Sequence, residues 1–192
     1  MLQLKRSILV FAGLSIICGL IYPLAITAIS QVIFPRQSNA SAIKKGDVVI
    51  GSELIGQLFT RPEYFHGRPS AIDPPYDAGN SSGSNLAPSS AKLLEQAKVR
   101  LEQIRQENGL PSNMPVPADL VLTSASGLDP HLSMEAALLQ VPRLARERKM
   151  PQSVIEKIVH QNTENPFLGI WGSERVNVLQ LNIALESIKD RR

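Results

Sequence analysis

From Ser7 to Pro35 the chain runs 29 residues without a formal charge. Within that run Ile8 to Phe34 is almost continuously apolar. As a helix at about 1.5 Å per residue it would be about 40 Å long. A bilayer core needs about 20 such residues, so the segment spans with residues to spare. The pattern predicts a transmembrane anchor over 1–35 and an extramembrane domain over 36–192. The rival is a cleaved signal peptide, with Ala40-Ser41-Ala42 as a small-x-small site. Its apolar core would be roughly 7–15 residues, however, and this run is far longer and ends well before Ala40. Pro23 falls mid-span, where it removes a backbone bond and predicts a kink. Ala12, Ser15 and Gly19 offer a small-residue face for contact with other membrane helices, although such residues are common in any spanning helix.

Past the apolar run the periodicity changes. Gly51 to Ala71 and Ile72 to Ser90 are rich in Pro, Gly, Ser and Asn and read as loops. The second carries Tyr76 and Leu86, which predicts an ordered loop packed on itself or on a partner. Ala91 to Asn108 has Leu94, Ala97, Leu101 and Ile104 at helical spacing, with Ser89 or Ser90 to cap it and Gly109 and Pro111 to stop it. Leu120 to Thr123 (LVLT) reads as a short strand. A helix follows Ser133, with Met134, Ala137, Leu138, Val141, Leu144 and Ala145 on one face. Arg143, Arg146, Glu147 and Arg148 fall on the other. Pro142 predicts a kink in it, or two short helices. Pro151 opens a helix with Val154, Ile155, Ile158 and Val159 inward. Val178 to Lys189 is the last, with Leu181, Leu185 and Ile188 inward and Asn177 as its cap. The fold class expected is α+β: one transmembrane helix, then a mainly helical, loop-rich domain with few short strands.

Composition narrows the function. Aromatic residues make up only 5% against 43% hydrophobic, so the core must be aliphatic and rich in alanine. The formal charge is +3, but Lys5 and Arg6 precede the anchor and no acid occurs before Gly46. Without that pair, 18 basic residues face 17 acidic ones, a poor polyanion surface. The terminal Arg191 and Arg192 are too few to alter this, and no nucleic-acid partner is expected. Cys18 is the sole cysteine, which excludes an internal disulfide and a thiolate metal cluster. Lys5, Arg6 and the amino terminus flank one end of the anchor, and Arg36, Lys44 and Lys45 the other at greater distance. The positive-inside rule then leans to N-terminus inside and body outside.

The candidate chemistry is thin. Asp129 and His131, in TSASGLDPHLSMEAA (Thr123 to Ala137), could be an acid–base pair, which would make the chain an anchored hydrolase. The plainer reading makes Gly127, Asp129 and Pro130 a shaped corner before a helix. His131 and Glu135 are four apart without a second histidine, and His66 and His160 are remote, so no metal site is expected. GNSSGSN (Gly79 to Asn85) lacks the Gly-Lys-Ser/Thr of a phosphate loop, and no Asp-Lys-Thr-Gly sequence is present. A stand-alone binding module using the loop from Ile72 to Ser90 is the third possibility. No catalytic residue is assigned, and an accessory subunit is favoured over an enzyme.

The same residues carry a family resemblance. Tyr22-Pro23-Leu24, GSELIGQ at 51–57, YFHGRPSA at 64–71 and SGSNLAP at 82–88 come in order. SASGLDPHLS at 124–133 then leads into Gln140-Val141-Pro142-Arg143, and VNVLQLNIAL stands at 176–185. In these blocks the chain resembles the KdpC family, the C subunits of Kdp-type potassium-transporting ATPases of bacteria and archaea. The resemblance implies a single-span subunit of the bacterial inner membrane, with its N-terminus cytoplasmic and its body outside. It implies two partners, a channel-like potassium subunit and a P-type ATP-hydrolysing subunit, with K+ as the transported ion. It also implies a proposed catalytic-chaperone role, raising the ATP affinity of the hydrolysing subunit, with Gln140 as the candidate nucleotide contact. Leu144 stands where the family's Gln-Val-x-Arg-Val block usually carries valine. An outside body and contact with ATP, which is hydrolysed in the cytoplasm, conflict, so the structural role carries more weight.

Overall fold

The computed structural model describes residues 1–189, with the backbone alone at Lys189; Arg191 and Arg192 lie outside the described residues. It resolves into two compact units, 1–50 and 51–192. In the first, α1 (Leu2–Ile16), a π-turn (Ile17–Ile21) and α2 (Tyr22–Ile33) form one unbroken helical run, long and apolar enough to cross a membrane. None of its side chains is buried within the chain. The disturbance expected at Pro23 takes the form of that π-turn. Proline has no N–H and its ring crowds the carbonyl four residues back, so the preceding turn widens. Thr27 Oγ1 donates to the Pro23 carbonyl at 2.8 Å. A short helix α3 (Pro35–Ser38) and a hairpin of β1 (Ala42–Lys45) and β2 (Val48–Ser52) follow, with Gly46 in the turn at φ +64°.

The second unit is α+β. Its helices are α4 (Ala91–Asn108), the single turn α5 (Ala118–Val121), α6 (Met134–Arg148), α7 (Gln152–Gln161) and α8 (Val178–Lys189). Three short antiparallel strands, β3 (His131–Leu132), β4 (Thr163–Glu164) and β5 (Arg175–Asn177), form a sheet in the order β3-β5-β4. His131 pairs with Asn177 and Thr163 with Val176, so β5 is central and feeds directly into α8. The core is aliphatic: Val141 and Leu144 of α6, Ile155 and Val159 of α7, and Leu181 and Leu185 of α8 surround Phe65, its one fully buried aromatic ring among the described residues. Helices α6 and α7 pack closely. Ser90 accepts from Leu93 N to cap α4, Ser133 from Ala136 N to cap α6, and Asn177 from Gln180 N to cap α8.

Four expectations need correction. LVLT is not a strand: Leu120 and Val121 complete the α5 turn, closed by Leu122 N to Ala118 O at 2.7 Å. A helical turn lets both adjacent side chains face the core, which a strand cannot do. Helix α6 continues through Pro142 as one element, which corrects only the alternative of two short helices. Arg143 belongs to the buried side of α6, at 2% exposure, and not to the solvent face. Leu94 is 56% exposed, so the start of α4 lies outside the core.

Candidate functional site

The blocks singled out in the sequence are one another's hydrogen-bond partners. Phe65 and His66 sit in a loop without regular structure, so their backbone groups need partners from elsewhere. Asn182 of α8 supplies those of Phe65: its Oδ1 accepts from Phe65 N at 2.9 Å and its Nδ2 donates to Phe65 O at 3.1 Å. Gln140 of α6 does the same for the next residue. Its Oε1 accepts from His66 N at 2.9 Å, and its Nε2 donates to His66 O at 3.1 Å. Two side-chain amides thus take the place of a neighbouring strand.

Gln140 also donates to Ala136 O at 3.3 Å and accepts from Arg143 Nη2 at 2.8 Å. Both lone-pair sites and both N–H groups of this 2%-exposed amide are therefore in use. Arg143 completes the lattice. Its Nε donates to Asn108 Oδ1 at 3.0 Å, and its Nη1 to the carbonyls of Tyr64, at 3.0 Å, and Pro62. Every bonded partner is a neutral oxygen. Burial lowers the pKa of the guanidinium, while Glu107 and Glu147 at longer range favour its charge. Arginine suits the position because its flat fork reaches three chain segments at once.

Beside the lattice lies a cleft of about 460 Å3 between α4 and the loop 58–76, lined by His66, Arg68, Tyr76, Arg100, Glu107 and Gln140 among others. The pKa of His66 is lowered, chiefly by burial and then by Arg143, against the raising effect of Arg61 O and Glu107. Its Nε2 lies 3.1 Å from Arg61 O and its Nδ1 3.5 Å from Glu107 Oε2.

Asp129 and His131 are neighbours in space, with Oδ1 to Nδ1 at 3.7 Å. Yet Asp129 Oδ1 accepts from His131 N at 3.0 Å, and Oδ2 takes Arg68 Nη1 at 2.9 Å. Burial pushes the carboxyl upward. The bonds from the His131 ring and backbone, and from Arg68, outweigh it and bring the pKa down to about 2. Such a carboxylate is a poor general base near neutrality. The segment around it is a series of side-chain-to-backbone turns. Ser124 Oγ accepts from Gly127 N, and Ser126 Oγ from Leu128 N. Other blocks bond to this corner: Gly56 N to Leu128 O at 2.8 Å, Ser70 Oγ to Gly127 O at 2.9 Å, and Ser82 N to Ser126 O at 3.0 Å. The loop 72–90 is accordingly ordered, with Tyr76 Oη bonded to Arg68 O at 2.6 Å. His66 and His131 line different clefts, and His160 is exposed on α7. Among the described residues no cluster of potential metal ligands occurs.

The sequence reading did not single out Asn182. A polar residue beside Leu181 and Leu185 on the inward face of α8 was the available signal, since such an amide must find partners.

The family model for the K+-transporting ATPase c chain matches residues 4–187. The chain belongs to the KdpC family. It is 47% identical to the potassium-transporting ATPase KdpC subunit of Rhodopseudomonas palustris (strain BisB5), over 96% of both chains. To that of Dechloromonas aromatica (strain RCB) it is 48% identical, over 96% of this chain and 97% of the relative. The KdpC subunit of Caldanaerobacter subterraneus subsp. tengcongensis is 44% identical, over 99% of this chain and 98% of the relative. The match covers both the long apolar helix and the ordered blocks. The chemistry of those blocks within this KdpC chain is the mutual bonding described above.

Proposed function

We propose that the chain is a non-catalytic accessory subunit that braces a potassium-transporting ATPase complex, held by its N-terminal helix in the inner membrane with its body outside. Its partners on this reading are a channel-like potassium subunit and a P-type ATP-hydrolysing subunit. The observation that carries the proposal is the saturation of Gln140: each of its hydrogen-bonding positions serves the chain's own fold. The polar residues of the blocks hold backbone in place, so what they present is a rigid surface. Deleting the chain should abolish high-affinity potassium uptake, and restoring it in trans should rescue uptake. Unchanged uptake in the deletion would overturn the proposal.

A second reading is contact with ATP as a catalytic chaperone. The cleft favours it, since Arg100 offers positive charge there, and the Nε of Arg68, whose Nη1 pairs with Asp129, is buried without a partner among the described residues. For Gln140 to touch a nucleotide it would have to release His66. The two readings separate in the assembled complex carrying Gln140→Ala. A brace predicts less assembled complex with an unchanged KM for ATP; a chaperone predicts a raised KM in complex that assembles normally.

A further inference from the structure

Among the described residues of the second unit, exposed large apolar side chains are most closely spaced in the turn from Phe167 to Trp171, between β4 and β5. Phe167, Leu168, Ile170 and Trp171 are 71%, 71%, 75% and 63% exposed. From Asn165 to Ser173 the sequence carries no charge. Four large apolar side chains on five residues, at a loop tip, are not a soluble surface of the ordinary kind. The turn is built, not loose. Phe167 N donates to Trp171 O at 2.8 Å and Trp171 N to Phe167 O at 3.0 Å, with the two rings 6.3 Å apart. Gly169 N and Ile170 N bond to Pro166 O and Phe167 O. Most of the turn's N–H groups are therefore satisfied internally, which is the condition for entering an apolar medium at low cost.

We propose that this turn is a lipid-docking tip, which dips into the interfacial region of the bilayer and forms a second membrane contact for the chain. Three observations select lipid over a protein groove. All four side chains are mostly exposed, from 63% to 75%, and a fluid apolar phase covers them together without a shaped groove. Tryptophan favours the membrane–water interface, where its ring meets hydrocarbon and its N–H stays wet. The chain carries its own spanning helix, so a bilayer is always at hand, and a tethered second contact needs little intrinsic affinity. The base of the turn fits the headgroup layer: Arg175 and Glu164 pair at 2.9 Å, and Glu174 adds a negative charge. The tip therefore has no need of anionic lipid. The proposal rests on membrane insertion of the helix 2–33.

Trp171 is the only tryptophan in the chain and so reports on the tip alone. The full chain is reconstituted into phosphatidylcholine vesicles with plain or brominated acyl chains, and flotation is followed together with Trp171 emission. The expected result is a chain that floats and emits at shorter wavelength than in denaturant, with emission lost to brominated lipid and resistant to aqueous iodide. The double variant Leu168→Asp, Ile170→Asp changes only exposed positions; it should float, keep its circular dichroism and regain iodide quenching. A wild-type chain that floats while Trp171 is quenched by iodide and untouched by brominated lipid overturns the tip assignment and leaves the anchor standing. A chain that does not float overturns both. If Trp171 in the assembled complex is shielded from iodide and from brominated lipid alike, a protein partner covers the turn and the lipid assignment fails.

Discussion

Side-chain amides decide this fold at two positions, and their removal has a calculable cost. Asn182→Ala leaves the N–H and C=O of buried Phe65 without partners. An unsatisfied buried group costs about 1–3 kcal/mol, so with two such groups the variant should lose about 2–6 kcal/mol. Denaturant unfolding of the detergent-solubilised chain should show this as a lower midpoint with an unchanged slope. Asn182→Asp should not rescue it, because a carboxylate cannot donate to the Phe65 carbonyl. Asp129 makes a prediction in pH. Its folded pKa of about 2 lies below the ordinary 3.8, so the native state binds fewer protons than the unfolded chain between those values. The stability it contributes is fully present above about pH 4 and is lost as pH falls through 2. Asp129→Asn should cost about 1 kcal/mol at neutral pH, after allowing for partial exposure, and should flatten the profile in that window. His66 acts at higher pH. Its pKa is also lowered, so its stabilisation is present above 6.5 and begins to fall as pH drops through that value. An acid titration of the wild type should therefore show two separate losses, and Asp129→Asn should remove only the lower.

Two glycines that share a left-handed backbone do different work in their elements. Gly109 ends α4 at φ +65°, with open space where a Cβ would go. Gly109→Ala meets only the backbone penalty, about 1 kcal/mol. Gly127 lies at φ +69° in the corner before α6, where a Cβ would meet the Ile72 side chain and the Ser82 carbonyl. Gly127→Ala adds overpacking to the backbone term and should cost about 2–4 kcal/mol. Thermal unfolding of the two variants side by side should rank them in that order, and equal shifts would mean that the loop 72–90 yields. Which elements were legible in the sequence follows the same division between local and distant causes. Helices α4 and α8 carry their own side-chain caps and apolar stripes, so their bounds could be read, and Pro151 with the stripe after it marked where α7 begins. Helix α5 could not, because LVLT has strand composition and becomes helical only where Arg100 Nη1 and Ser133 N bond the Val121 carbonyl and the Asp119 carboxylate. The three-stranded sheet was invisible for a related reason. Strands of two or three residues hold no period, and β3 and β5 are some 45 residues apart in a pairing set by tertiary packing. The corner at 124–133 was read correctly as a shaped turn, because serine, glycine, aspartate and proline declare turns locally. The lattice around Arg143 was missed, since helical spacing alone put a charged residue on the solvent side. Only Pro62, Tyr64 and Asn108, distant in sequence, reveal why a guanidinium stays buried.

For the whole molecule, every reading of function turns on which side of the membrane the body occupies. Charge favours an outside body by a narrow margin: Lys5, Arg6 and the amino terminus lie against one end of the helix, while Arg36 is near the other and Lys44 and Lys45 lie farther on. Family membership brings a potassium-transporting ATPase, and the chain's own bonding assigns Gln140 and Arg143 to its interior. An outside body makes these facts agree, because residues committed to holding a loop need no access to cytoplasmic ATP. The test needs one reporter. Ser112 is exposed in the loop between α4 and α5, clear of every bond that builds the lattice. With Cys18→Ala, the variant Ser112→Cys carries a single thiol. A membrane-impermeant maleimide should label it in intact spheroplasts as fully as in lysed ones. Labelling only after lysis would put the cleft beside Gln140 in the compartment where ATP is hydrolysed. The release of His66 by Gln140 would then become the step to measure, and the brace would give way to the nucleotide reading.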